Sequence, residues 1–212
     1  HKIGEMATRA FAVESALYRT GRMIDQKYDE LKAAGESDND AKQKAIRDFA
    51  VECAILKVTG SETVTYGVDE TIQVLGGMGY SMEQGAEMGY RDARITRIYE
   101  GTNEINRMLS VGELMKRAYK TKEVNLLKAG KELPGLLLKE WLPLPTSGKF
   151  GKEESIVESL KKAFLLISGA AGRKLKLKLV DEQEIVINLA DILAEAFIAE
   201  SLLLRVKKLT AD

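Results

Sequence analysis

Residues 73–109 read QVLGGMGYSMEQGAEMGYRDARITRIYEGTNEINRML. Three features organise this stretch: the glycine turn Gly76-Gly77-Met78-Gly79, the charged pair Arg91-Asp92, and Glu100 held between Tyr99 and Gly101. Glycines at this density mark tight turns between helices. Glycine also lets backbone approach a ligand phosphate, because it has no Cβ. On pattern alone Glu100 reads as a solvated loop carboxylate or a residue near a helix start. Arg91-Asp92 reads as a charge pair pinning a turn. Thr102 is placed to cap a following helix whose apolar face would hold Ile105, Met108 and Leu109.

Working outward, residues 1–34 form one helical pattern, with Ile3, Met6, Ala7, Ala10, Val13 and Leu17 on one face and Gly35 ending it. The polar run Glu36-Ser37-Asp38-Asn39-Asp40 is a turn, with Asp38 or Asn39 as the expected N-cap. A second long helix is expected over about 40–75, burying Ile46, Phe49, Ala50, Cys53 and Leu56. Its small residues Ala54, Gly60, Ser61 and Gly67 would admit a neighbouring helix. The glycine turn breaks this helix, and a short helix over about 83–93 follows. Long helices joined by short turns make an antiparallel bundle.

After about Tyr119 the character changes. Pro134, Trp141, Pro143, Pro145, Ser147 and Gly148 mark a linker. Two more helices are expected. Residues 153–173 would align Ile156, Leu160, Ala163, Phe164, Ile167 and Ala171. Residues 182–208 would align Ile185, Leu189, Ile192, Leu193, Ala196 and Leu203. Arg173 to Leu179 alternates with period two. It is read as helix, since a lone strand has no partner here.

The composition fits this all-α reading. The chain has 212 residues, 45% of them hydrophobic and 30% charged, with 3 prolines and 6% aromatics. This is the balance of a chain that buries a core and favours helices over a sandwich of strands. A formal net charge of +0 gives no footprint for nucleic acid. The single Cys53 rules out an internal disulfide and reads as a small core residue. His1 is the lone histidine, so no metal site is expected. No apolar run reaches membrane-spanning length. The chain starts inside a helical pattern without an initiator methionine, so it is expected to be part of a longer protein.

Gln73 to Tyr80, Arg91 to Ile95 and Ile98 to Ile105 together resemble the end of an acyl-CoA dehydrogenase, in the family's order and spacing. The resemblance covers roughly residues 1–118. The remainder is loosely similar to the C-terminal extension of the very-long-chain branch. The domains implied are therefore the C-terminal helical domain (1–118, without its first helix) and a truncated helical extension (119–212).

The resemblance implies α,β-dehydrogenation of fatty acyl-CoA, of long chains by the extension, in fatty-acid β-oxidation. FAD would be the cofactor and an electron-transfer flavoprotein the acceptor. Glu100 would be the catalytic base. A thioester α-proton is weakly acidic, so its removal needs a base within hydrogen-bond reach and stabilisation of charge on the thioester oxygen. The Glu100 N–H and a flavin hydroxyl would supply that stabilisation, while the β-hydrogen leaves as hydride to the flavin. Tyr99 and Gly101 would wall and open the substrate pocket. Gln73, Gly76 and Gly77 would touch FAD held by the partner in a homodimer or larger oligomer. Thr102 and Glu104 would lie near its adenosine part, though some relatives carry Gln at the position of Glu104.

The resemblance also suggests the cytoplasm for a bacterial protein or mitochondria for a eukaryotic one. The extension would be a helical cap or a peripheral membrane contact. The rival readings are a non-catalytic helical interaction domain and a flavoprotein acting on another acyl-CoA. The chain alone is expected neither to bind FAD tightly nor to catalyse.

Overall fold

A computed structural model describes residues 1–121, 148–175, 178–179 and 181–211. The described residues are helical and contain no strand, as the all-α reading predicts. The chain divides into two compact units, His1–Asn106 and Arg107–Asp212.

In the first unit, α1 spans Lys2–Ala33, α2 Asp38–Asp48 and α3 Ala50–Leu75. Gly35 ends the α1 turn with φ +91°, a conformation that glycine adopts without steric cost. The predicted helix over 40–75 is thus two helices. Phe49 leaves helical geometry at φ −109°, ψ 25° and separates them. The cap is Ser37 rather than Asp38 or Asn39. Its Oγ accepts the Asp40 N–H at 3.2 Å and donates to Asp40 Oδ2 at 2.7 Å. The hydroxyl thus satisfies one of the helix's unpaired N-terminal N–H groups, as an N-cap serine does.

Helices α1 and α3 run antiparallel. Lys2 pairs with Glu70, Arg9 stacks 4.1 Å over the Tyr66 ring, and a Cβ on Gly60 would stand 3.9 Å from Val13 Cγ1. The buried stripe of α1 is Ala12, Ser15, Ala16 and Thr20. Of the expected apolar face, Met6 and Val13 are half-buried toward α3, while Ile3 is 67% and Leu17 54% exposed. On α3 the buried set is Val51, Ala54, Ile55, Val58 and Ser61, while Cys53 and Leu56 are half-buried and Ile46 of α2 is exposed. Small side chains win the interface because they let the helix axes approach. Fully buried Ala41 and Ala45 serve α2 in the same way.

Gly76 ends α3 with φ +62°. One turn of helix, α4 (Gly77–Tyr80), and a 3-10 turn, Met82–Gln84, follow. Gly79 is required by space, since a Cβ there would stand 2.8 Å from the Ile72 carbonyl oxygen. Gly85, left-handed at φ +68°, leads into α5, Ala86–Ile95. The expected helix over 83–93 is therefore a 3-10 turn and a helix divided by that glycine.

The next helix, α6, spans Asn103–Thr121. The second unit also holds α7, Gly151–Leu175, and α8, Gln183–Leu209. Ion pairs Lys161–Glu200 and Lys207–Glu154 set α7 and α8 antiparallel. Their core joins Val111, Phe164, Leu179, Val186, Leu189 and Ala190. Met108, Leu165, Ala171, Ile185, Ile192 and Leu193 pack against it. Ile156 and Ile167, expected inside, are exposed, and Val157 and Leu166 are buried in their place. Ile105 and Leu109 of α6 are exposed too. Arg173 to Leu175 is helical, and Lys178-Leu179 forms a 3-10 turn. The prolines and Trp141 of the expected linker lie outside the described residues. Among the described residues no helix is long and apolar enough to cross a membrane.

Candidate functional site

The Glu100 turn is built between α5 and α6. Past Ile95 the chain tightens, with the Ile98 N–H donating to Ile95 O at 2.9 Å and the Tyr99 N–H to the same oxygen at 3.2 Å. Glu100 then takes φ +56° and Gly101 φ +82°. Among the described residues Glu100 is the one non-glycine with positive φ. A side chain in that region costs about 1–2 kcal/mol relative to ordinary backbone. Such a conformation persists only where its surroundings over-determine it.

The surroundings here are polar and specific. The Asn103 N–H donates to Arg97 O at 3.1 Å, closing the turn. Lys57 Nζ, from α3, donates to Gly101 O at 2.6 Å and to Asn103 Oδ1 at 2.8 Å. Asn106 Nδ2 donates to Gly101 O at 2.8 Å and to Thr102 O at 3.1 Å. Asn103, 0% exposed, donates through Nδ2 to Ser61 Oγ at 3.0 Å and to Glu62 Oε1 at 3.1 Å. A Cβ on Gly101 would stand 2.9 Å from Asn106 Nδ2. Thr102 caps α6 as expected, its Oγ1 accepting the Ile105 N–H at 3.3 Å. The outcome is a turn tied down by hydrogen bonds that leaves Tyr99, Glu100 and Gly101 on the surface. Among the described residues no backbone hydrogen bond engages the Glu100 N–H, so carboxylate and N–H of one residue are both available to a ligand.

Tyr99, Glu100, Gly101, Thr102 and Glu104 thus belong to one turn and the helix start after it. Gln73, Gly76 and Gly77 do not join them. The turn docks on Lys57 and Ser61 of α3, and Gln73 lies 12 residues beyond Ser61, about 18 Å further along the helix at 1.5 Å per residue. There Gln73, Gly76 and Gly77 are exposed, rimmed by exposed Val74, Leu75, Met78 and Tyr80. Nothing stands within 4 Å of where a Cβ on Gly77 would be. An open glycine backbone beside a carboxamide suits a phosphate-bearing group brought from outside this chain.

An open groove of about 460 Å³ between α3 and α5 is lined by Glu62, Thr65, Tyr66, Asp69, Tyr90 and Arg97. It includes none of the sequence-predicted site residues. Arg97 Nε is buried without a hydrogen-bond partner among the described residues. Arg91 pairs with Glu87 at 3.5 Å, one helical turn away, rather than with Asp92. Burial pushes the Cys53 thiol above its ordinary range, with nearby Glu52 adding to the effect, so it is a poor nucleophile. Among the described residues no group of three His, Cys, Asp or Glu side chains is placed to hold a metal ion.

Sequence reading missed Lys57, Asn103 and Asn106. Asparagine is a weak helix former, so two of them in the first four residues of α6, just after a glycine, were a usable signal. Nothing in the pattern of α3 distinguished Lys57 from a solvated lysine.

Two family models, each described as the acyl-CoA dehydrogenase C-terminal domain, match residues 1–115 and 159–212. A probable acyl-CoA dehydrogenase of Bacillus subtilis is 40% identical over 210 residues, covering 99% of this chain and 35% of that protein. The mitochondrial short-chain specific acyl-CoA dehydrogenase of Bos taurus is 42% identical over 112 residues, 53% of this chain and 23% of that protein. The crystal structure of an acyl-CoA dehydrogenase complexed with FAD from Bacillus anthracis superposes with a TM-score of 0.89 at 36% identity, covering 98% of this chain and 35% of that one. The chain thus spans about a third of the length of the B. subtilis relative and of the solved chain. It belongs to the acyl-CoA dehydrogenase family, of which it carries C-terminal domain sequence.

Proposed function

We propose that the protein containing this chain oxidises fatty acyl-CoA thioesters between the α and β carbons, with Glu100 as the base that removes the α-proton. The observation that carries this reading is the left-handed Glu100 itself, an exposed carboxylate in a costly conformation pinned by a fully buried asparagine and a lysine. A surface glutamate with no task gains nothing from such a turn. The free Glu100 N–H is suited to bind the thioester carbonyl oxygen, where negative charge develops as the α-proton leaves. Gly101 keeps the approach open, and Tyr99 offers an aromatic wall.

FAD, when bound, supplies the acceptor for the β-hydrogen. Gln73, Gly76 and Gly77 would hold its phosphate-bearing part across a subunit interface. Thr102 and Glu104 would lie near the adenosine. The separation of these two groups along α3 supports contacts in more than one place, as in a homodimer or larger oligomer. Electron-transfer flavoprotein is the proposed acceptor from the reduced enzyme. We assign long acyl chains from the resemblance of the extension to the very-long-chain branch. The shared apolar core of α7 and α8 favours the extension as a helical cap over a membrane contact.

The test is anaerobic mixing of the full-length flavin-loaded protein with butyryl-, octanoyl- and palmitoyl-CoA while flavin absorbance is followed. Bleaching strongest with palmitoyl-CoA is expected. Bleaching only by butyryl-CoA would overturn the long-chain assignment. Bound flavin that no acyl-CoA bleaches would favour the non-catalytic reading.

A further inference from the structure

We propose that Lys57 is a positioning residue that holds the Glu100 turn in its left-handed form, acting through the Gly101 carbonyl and the buried Asn103 amide. The inference rests on the reading of Glu100 as the base. Its structural half stands separately. A carbonyl oxygen has two lone pairs, and those of Gly101 are both taken, one by Lys57 Nζ at 2.6 Å and one by Asn106 Nδ2 at 2.8 Å. That fixes the peptide plane directly after Glu100 and Gly101. Asn106 belongs to α6 and moves with the turn. Lys57 belongs to α3, 44 residues earlier, and ties the turn to a second helix.

The same ammonium also reaches Asn103 Oδ1 at 2.8 Å. It therefore orients the amide whose Nδ2 is committed to Ser61 and Glu62. Hydrogen bonds from an ionised donor are short and about twice as strong as neutral ones. Among the described residues Lys57 pairs with no carboxylate, so its charge is committed to these two oxygens. A methionine of similar length would fill the space and leave the Gly101 carbonyl with Asn106 alone.

The experiment compares full-length flavin-loaded wild type with Lys57→Met and Lys57→Arg. Two readouts are taken: amide hydrogen exchange of the peptide covering residues 97–106, and stopped-flow flavin reduction by palmitoyl-CoA. In Lys57→Met, exchange in that peptide is expected to quicken while flavin content and the acyl-CoA dissociation constant stay at wild-type values. The limiting reduction rate should fall about ten- to a hundredfold, the cost of a base displaced by about 1 Å. Lys57→Arg keeps the charge but cannot set one nitrogen between the two oxygens, so it should fall between wild type and Lys57→Met.

Unchanged exchange, or quickened exchange with a wild-type reduction rate, overturns the proposal. If Lys57→Met fails to take up flavin, Lys57→Arg decides, and a wild-type rate there is fatal. If no acyl-CoA bleaches even the wild type, the dehydrogenase reading fails by itself. The exchange comparison then still judges the pin, and unchanged exchange rejects it.

Discussion

The largest fully buried side chain of the first unit is an asparagine, Asn103, whereas the second unit buries Leu189 and Val111. The other buried side chains of the first unit are alanine, serine, valine, one threonine and one isoleucine. Around Leu189 the interior is Phe164, Val186 and Leu179, with leucines, isoleucines and methionines packed on them. The exposed large apolar residues reverse this order. Among the described residues the first unit shows Ile3, Leu17, Tyr18, Val74, Met78, Tyr80, Met82 and Tyr99 to solvent, among others, and the second shows far fewer. The second unit therefore spends its apolar side chains on its own core. The first spends them on outward faces and holds its functional turn with hydrogen bonds.

This contrast can be broken at its strongest point by Phe164→Ala. Removing a ring from the apolar core should cost about 3–5 kcal/mol, read as lost hydrogen-exchange protection in α7 and α8; a loss below 1 kcal/mol would mean that Phe164 does not carry that core. The matching lesion in the first unit is polar. Asn103→Ala leaves Lys57 and Ser61 each short of a partner and should cost about 1–3 kcal/mol, visible in denaturant melts as a lower midpoint at unchanged slope. A neutral Asn103→Ala would deny that the turn is held by that side chain. The smallest expected effect is at the α2 cap, where Ser37→Ala should cost about 1 kcal/mol. Asn39→Ala, altering one of the two residues expected as the cap, should cost less.

The same contrast explains what was legible from the sequence. Helix existence was readable almost throughout, because glycines and capping residues state where helices stop. Hydrophobic periodicity located apolar faces correctly as faces, but it could not say which face this chain buries. On α1 the ends of the apolar stripe, Ile3 and Leu17, are exposed and Met6 and Val13 only half-buried, while the buried residues are Ala12, Ser15, Ala16 and Thr20. Small residues leave a weak hydrophobic signal, though they allow the closest approach. In α8 the stripe and the core coincide at Leu189 and Ala196, since that helix is covered from within its own unit. At the site, Tyr99, Glu100, Gly101 and Thr102 were legible as a motif, and Thr102 as a cap. The left-handed φ of Glu100 was not, because it is imposed by side chains from α3 and α6 that are distant in sequence.

The proposed role of this turn is to present a base. The most direct measurement is anaerobic mixing of full-length flavin-loaded wild type and Glu100→Gln with the acyl-CoA that bleaches the wild type best, followed by flavin absorbance in a stopped-flow instrument. Glutamine keeps the size and the turn but cannot accept the α-proton. Equal flavin content, retained acyl-CoA binding and a reduction rate at least about a hundredfold lower are expected in the variant. Wild-type bleaching by Glu100→Gln would contradict that role and place the base elsewhere.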